Sequence, residues 1–182
     1  MKRSFLILAA VVTALSALGA MLVTANPAPA AASLSETEAT DLQYVREDEE
    51  LARDVYRVFD PLYGDQVATF ANIATSESRH TLAIKDLLIR YKVTDPAETD
   101  VPGVFQNAEL QMLYNALVAR GRLSLRDALQ VGVDIENLDI SDLTDCRERT
   151  TYTDIARVYS NLIDGSCNHL AAFQKALKRL SD

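Results

Sequence analysis

Glu77 and His80 stand three residues apart in the stretch Ala74-Thr75-Ser76-Glu77-Ser78-Arg79-His80, inside an apolar segment from Phe70 to Tyr91. On a helix this spacing puts both side chains on one face, one turn from each other. The rest of that face is apolar: Phe70, Ile73, Ala74, Ile84, Leu87 and Tyr91 share it. A carboxylate and an imidazole buried together need a partner, because a lone buried charge is too costly to keep. A metal ion is one such partner; a core histidine satisfied by its neighbours is the plainer alternative.

The elements that would carry this pair can be read from the apolar spacing. A first helix opens at Ser33 to Glu38, where Ser35 and Glu38 have capping-box spacing. Leu42, Val45, Glu49, Ala52, Tyr56 and Phe59 recur along it in steps of three and four, and one member of that stripe, Glu49, is an acid. Glu47, Asp48 and Glu50 are expected to be solvated. Pro61 and Gly64 are expected to end this helix and Asp65 to cap the second, which runs from about Gln66 to Tyr91.

A long connection follows, with turn signals at Thr94-Asp95-Pro96 and Val101-Pro102-Gly103 and a short helix between Asn107 and Gly121. It is long enough to cross the length of a helical bundle. Ser124 caps a third helix whose inner face is expected to hold Leu125, Ala128, Leu129, Gly132, Ile135 and Leu138, with Glu136 and Asp139 close to that stripe. The run Asp139-Ile140-Ser141-Asp142 is expected to loosen it. A fourth helix, from about Tyr152 to Leu180, turns Tyr159, Leu162, Ser166, His169 and Phe173 inward.

Counting residues along two antiparallel hairpins brings the polar members to one height. Glu49 lies 14 residues before Tyr63, and Glu77 lies 12 after Asp65, a mismatch of about 3 Å at the helical rise. Glu136 precedes Arg149 by 13 residues, and Ser166 and His169 follow Tyr152 by 14 and 17. Carboxylates and Glu-x-x-His pairs projecting inward from four helices are how di-iron and di-manganese bundles are built. The mixture of carboxylate and imidazole suits iron or manganese better than a thiolate-seeking ion.

With these residues in view, the chain resembles the ferritin-like superfamily, rubrerythrins especially. Glu49-x-x-Ala52-x-x-x-Tyr56 looks like the family's first-helix signature, Ser76-Glu77-Ser78-Arg79-His80 its Glu-x-x-His, and Ala128-x-x-x-Gly132-x-x-x-Glu136 its third helix. The resemblance covers about Leu42 to Leu177, and lies nearest a subgroup of ferritin-like domains with no settled activity. It implies an all-α, ferritin-like four-helix bundle with a long crossover holding a short extra helix. It further implies one or two iron or manganese ions held by Glu49, Glu77, His80, Glu136 and His169, with oxygen or peroxide as reactant in ferroxidase or peroxide-reducing chemistry. The fourth helix departs from the pattern: Ser166 stands where a Glu is expected, and Asp139 is the candidate to replace it. That departure favours an alternative, a non-catalytic envelope module that has lost part of the site.

Composition narrows the setting. Twenty-six acids against 18 bases, a net charge of -8, argue against a nucleic-acid partner. Met1-Lys2-Arg3 followed by an uncharged run from Phe5 to Val23, then small residues, reads as an export signal ending near residue 32. Pro27 and Pro29 favour cleavage, and an uncleaved membrane anchor is the alternative. The domain, residues 33–182, is then expected in the periplasm or outside the cell. Export permits a disulfide between Cys146 and Cys167. Straight antiparallel helices would hold them about 18 Å apart, too far for one unless the third helix breaks near Asp139. With no CxxC or CxxCH, neither a rubredoxin-type iron site nor covalent haem is indicated.

Overall fold

The computed structural model describes residues 33–181, so the expected export segment lies outside the described residues. Five α-helices and no strands are present among the described residues: α1 (Glu36–Tyr63), α2 (Thr69–Tyr91), α3 (Ala108–Gly121), α4 (Leu125–Arg149) and α5 (Thr153–Arg179). None of them is long and apolar enough to cross a membrane.

Side-chain chemistry sets most of the helix starts. Ser35 Oγ accepts from the Glu38 N–H, and the Glu38 carboxylate accepts from the Ser35 N–H, closing the expected capping box. Asn107 accepts from the N–H groups of Glu109 and Leu110 to start α3, and Ser124 accepts from Asp127 N–H to start α4. Two boundaries differ from expectation. Pro61 lies inside the last turn of α1, where its fixed φ suits the helix, and the chain turns only at Gly64. Asp65 caps nothing: Gln66 and Val67 bond back to the Tyr63 carbonyl, which delays α2 to Thr69.

α1 pairs with α2 and α4 with α5, and the pairs meet through α1 against α4 and α2 against α5. All four contacts are antiparallel. Tyr63 at the end of α1 meets Phe70 at the start of α2, and Arg126 early in α4 reaches Ser181 beyond α5. Arg149 at the end of α4 bonds Asp41 in the first turns of α1, and Tyr91 at the end of α2 bonds Asp154 in the first turn of α5. α2 and α4 therefore run the same way, so the chain between them must travel the full length of the helices. α3 lies in that crossover and packs on α1 and α4.

The crossover explains an expectation that fails. Glu47, Asp48 and Glu50 are buried, not solvated; the crossover covers Glu47 and Glu50, while Asp48 lies on the α4 side of the helix. The connection is laid over the outer side of α1 and tied to its charges. Arg46 holds Glu50 at 2.5 Å and Asp95 at 3.2 Å, and Arg53 holds Asp100 at 2.6 Å. Asp54 accepts from the Gly103 N–H at 2.8 Å, and Glu47 accepts from the N–H groups of Gln106 and Asn107. Acids on the outer side of α1 thus satisfy backbone donors that a helix-poor segment would otherwise leave unpaired.

α4 runs unbroken through Asp139-Ile140-Ser141-Asp142, against the expected loosening. Its inward stripe holds Leu125, Ala128, Leu129, Gly132 and Ile135 as expected, but Leu138 is 37% exposed, whereas Glu136 and Asp139 are 0% and 1%. With α4 intact both cysteines are free, Cys146 buried and Cys167 exposed.

Apolar side chains form two separate clusters. One is aromatic, with Tyr56, Phe59, Phe70 and Phe173 against Leu129. The other holds Leu42, Ile84, Leu88, Leu143, Tyr159 and Leu162. Every long helix passes through one cluster, then a polar stretch, then the other. Each buried aromatic or aliphatic side chain contributes about 1.5–3 kcal/mol, and the two clusters clamp what lies between.

Candidate metal centre

Between the clusters lie Glu49 of α1, Glu77 and His80 of α2, Glu136 and Asp139 of α4, and Ser166 and His169 of α5. Glu77, fully buried, is at the middle. Its Oε2 is 2.8 Å from His80 Nδ1 and its Oε1 is 2.7 Å from His169 Nδ1. Glu49 Oε2 approaches His80 Nδ1 at 3.1 Å from the α1 side, and Glu136 Oε2 approaches His169 Nδ1 at 3.4 Å from the α4 side. The two imidazoles lie nearly parallel, ring centres 5.3 Å apart. The arrangement is two matching sets, His80 with Glu49 and His169 with Glu136, sharing one carboxylate.

Distance alone would make these contacts hydrogen bonds, but most do not meet the angular requirement. Both Glu77 oxygens, Glu136 Oε2, Glu49 Oε1 and His169 Nδ1 are buried without a hydrogen-bond partner. Buried polar atoms are seldom left so. Here the two Glu77 oxygens and Glu136 Oε2 lie against imidazole nitrogens, which is how ligand atoms gather around a cation. One ligand atom each from Glu77, His80 and His169 lies within 4.8 Å of the other two. The donor set is hard oxygen plus imidazole nitrogen, so the residues fit iron or manganese.

The electrostatics carry the same strain. Burial pushes Glu49 up to about 8 and Glu136 up to about 7, despite the imidazole beside each. Burial also works upward on Glu77, yet His169 and His80 on its two sides bring it down to about 2. Burial opposes the imidazolium of both histidines, but Glu49 and Glu77 hold His80 at about 10, and Glu136 and Glu77 hold His169 at about 9. Burial and the acids around it push Asp139 well above the ordinary carboxylate range. A multivalent cation would relieve the crowding of acids that shifts these groups.

The structure brings Glu49, Glu77, His80, Glu136 and His169 together. Asp139 is buried one turn along α4, with neither carboxyl oxygen hydrogen-bonded, and the close acid contacts of the two imidazoles come from Glu49, Glu77 and Glu136. Ser166, the residue that departs from the resemblance, is fully buried, and its Oγ has no partner. It stands one turn before His169, as Glu77 stands one turn before His80.

Two residues that support the site, Tyr56 and Gly165, escape the sequence reading, as does the burial of Asp48 outside the ligand sets. Tyr56, a member of the apolar stripe of α1 by spacing, donates its OH to Glu136 Oε1 at 2.7 Å and so fixes that carboxylate. Its position seven residues after Glu49, two turns on, was the available signal. Asp48 was masked by the acidic run around it. Gly165 is needed because a Cβ there would lie 2.6 Å from His80 Nε2; nothing in its local sequence marks it. Arg53 and Asp54 both serve the crossover and not the site.

Residues 38–181 match the model of a family described as an uncharacterised protein domain, DUF2202. The chain is 46% identical over 145 residues to an uncharacterised protein, MJ0754, from Methanocaldococcus jannaschii, a match covering 79% of this chain and 77% of that protein. The crystal structure of hypothetical protein MJ0754 from Methanococcus jannaschii has a similar fold, with a TM-score of 0.77 at 43% identity over 83% of this chain and 85% of that one. The site and both hairpins fall inside the matched residues, and the chain belongs to the DUF2202 family.

Proposed function

We propose that this is an exported metal protein with a ferritin-like four-helix bundle, in which Glu49, Glu77, His80, Glu136 and His169 would hold two iron or manganese ions, Glu77 contributing to both. The observation that carries the reading is the Glu77 carboxylate, fully buried, with one oxygen facing each imidazole. His80, Glu49 and Glu77 would hold one ion, and His169, Glu136 and Glu77 the other, with Asp139 beside them. The crossover between two antiparallel pairs supports the bundle assignment. The basic amino terminus and apolar run support export.

Bound iron or manganese would supply electron transfer towards oxygen or peroxide. The chain's own contribution is position and exclusion of water. The two apolar clusters seal the site at both ends, Tyr56 fixes Glu136, and Gly165 leaves room for the His80 ring. Ser166, one turn before His169, presents a buried hydroxyl where the resemblance implies a carboxylate. Ferroxidase or peroxide-reducing activity is the reaction this arrangement supports best.

The same Ser166 favours a second reading, a binding or structural module of the cell envelope without turnover. One experiment separates them. Metal content is measured on protein purified without chelator, beside Glu77→Ala and His80→Ala, and Fe(II) oxidation and peroxide consumption are followed for each. Stoichiometric metal lost in both variants, with turnover above the metal-free control, supports the enzyme. Stoichiometric metal without turnover supports the module, and a wild type that stays empty in Fe(II) and Mn(II) rejects both metal readings.

A further inference from the structure

The facing sides of α1 and α4 carry a graded series of acids from solvent to the centre. At the surface, Asp41, Tyr44, Asp142, Asp145 and Arg149 line a pocket of about 330 Å³. On its inner side the Tyr44 OH donates to Asp142 Oδ2 at 2.8 Å. One turn deeper on each helix are Asp48 and Asp139, 4% and 1% exposed. One turn deeper again is Glu136. The spacing is regular, since Glu136, Asp139, Asp142 and Asp145 follow one another at steps of three on α4.

This series is costly as a purely structural feature. Both Asp139 oxygens are buried with no hydrogen-bond partner, a state that native interiors avoid. Nearby bases are engaged elsewhere: Arg149 with Asp41 at the rim, Arg46 with Glu50 and Asp95 on the other side of α1. Aliphatic residues would pack this seam at lower cost. What a staircase of carboxylates does well is to concentrate divalent cations and exchange their water for carboxylate oxygen in steps.

We propose that Asp142, Asp48 and Asp139 form a transfer site, which takes a hydrated divalent cation from the α1/α4 pocket and delivers it to the buried centre. The inference rests on the metal-binding reading above. It adds a direction of loading and assigns a task to three acids outside the two ligand sets.

Tyrosine fluorescence can follow loading, because the chain has seven tyrosines and no tryptophan, with Tyr44 on the path and Tyr56 at its end. Chelator-stripped wild type and the double variant Asp48→Asn/Asp142→Asn are mixed with Co(II) in a stopped-flow instrument at low and high salt. Bound Co(II) is counted after gel filtration, and melting curves compare the folded states. A control, Asp86→Asn/Glu98→Gln, removes the same charge at exposed positions off the seam. The expected result is uptake at least tenfold slower in the seam variant, an effect that shrinks with added salt, with stoichiometry and equilibrium affinity within twofold of wild type. Uptake at the wild-type rate would overturn the transfer site and leave the centre standing. So would equal slowing in the control, or a seam variant that loses equilibrium binding. A wild type that takes up no Co(II) overturns the centre and the transfer site together.

Discussion

Replacing Gly165 by alanine tests whether the His80 ring is held for a purpose. A Cβ built there lies 2.6 Å from His80 Nε2 and 2.7 Å from Cε1, about 0.8 Å inside the 3.4 Å at which ordinary contact begins. The ring must retreat by that amount or rotate, and its Nδ1 contacts at 2.8 Å to Glu77 and 3.1 Å to Glu49 must open in proportion. Overpacking costs about 1–3 kcal/mol, while alanine gains about 1 kcal/mol over glycine inside a helix. The metal-free protein should therefore lose no more than about 2 kcal/mol, the difference between those two effects. Displacing a residue that orients a ligand typically lowers metal affinity about 10–100-fold, and that is the effect expected on Mn(II) binding. Gly132→Ala is the control, since its Cβ would meet the Phe173 ring at 2.6 Å, in the aromatic cluster and away from His80. The assays are urea unfolding without metal and calorimetric titration with Mn(II). Wild-type Mn(II) affinity in Gly165→Ala, or an equal loss in Gly132→Ala, would refute the reasoning.

Two further substitutions probe the supports of the site and of α1. Tyr56→Phe removes a buried hydroxyl bonded to Glu136 Oε1; it should cost about 1.5–3 kcal/mol in urea unfolding and lower Mn(II) affinity about tenfold, and unchanged values would return Tyr56 to a packing role. Glu38→Gln keeps the capping geometry but removes the charge. Burial raises the Glu38 carboxyl, yet bonds from Ser35, Thr151 and Thr150 bring it from 4.5 down to about 2 in the folded chain. A carboxyl lowered on folding stabilises the protein above its unfolded value and ceases to do so as pH falls through the folded one. The wild-type advantage over Glu38→Gln should be full above pH 4.5 and gone below about pH 2; urea midpoints of both proteins across that range check it, and a difference independent of pH would contradict it.

What could be read in advance divides along a physical line. Capping residues act within one turn, so Ser35, Asn107 and Ser124 announced their helices. Helical rise is constant, so counting from the turns sets Glu49, Glu77, Glu136 and His169 at one height. What depended on long-range packing was not legible. Glu47 and Glu50 look like surface acids on α1, and only the crossover laid over them makes them interior. Leu138 fits the apolar stripe of α4 by spacing, yet it is 37% exposed while Glu136 and Asp139 beside it are buried, a choice that hydrophobicity alone does not make. Gly165 carries no side chain to read; its role exists only in the ring that fills its space. The unbroken α4 also settles the cysteines, since the kink that a disulfide would need is absent.

The central claim is that Glu77 is shared by two ions, and anomalous scattering from crystals grown with Mn(II) addresses it directly. The account predicts two peaks on either side of the Glu77 carboxylate, one bound by His80 Nδ1 with Glu49 and one by His169 Nδ1 with Glu136. A single peak held by both imidazoles would contradict the two-ion arrangement. Peaks confined to surface carboxylates, with the core side chains as they stand, would contradict the metal centre altogether.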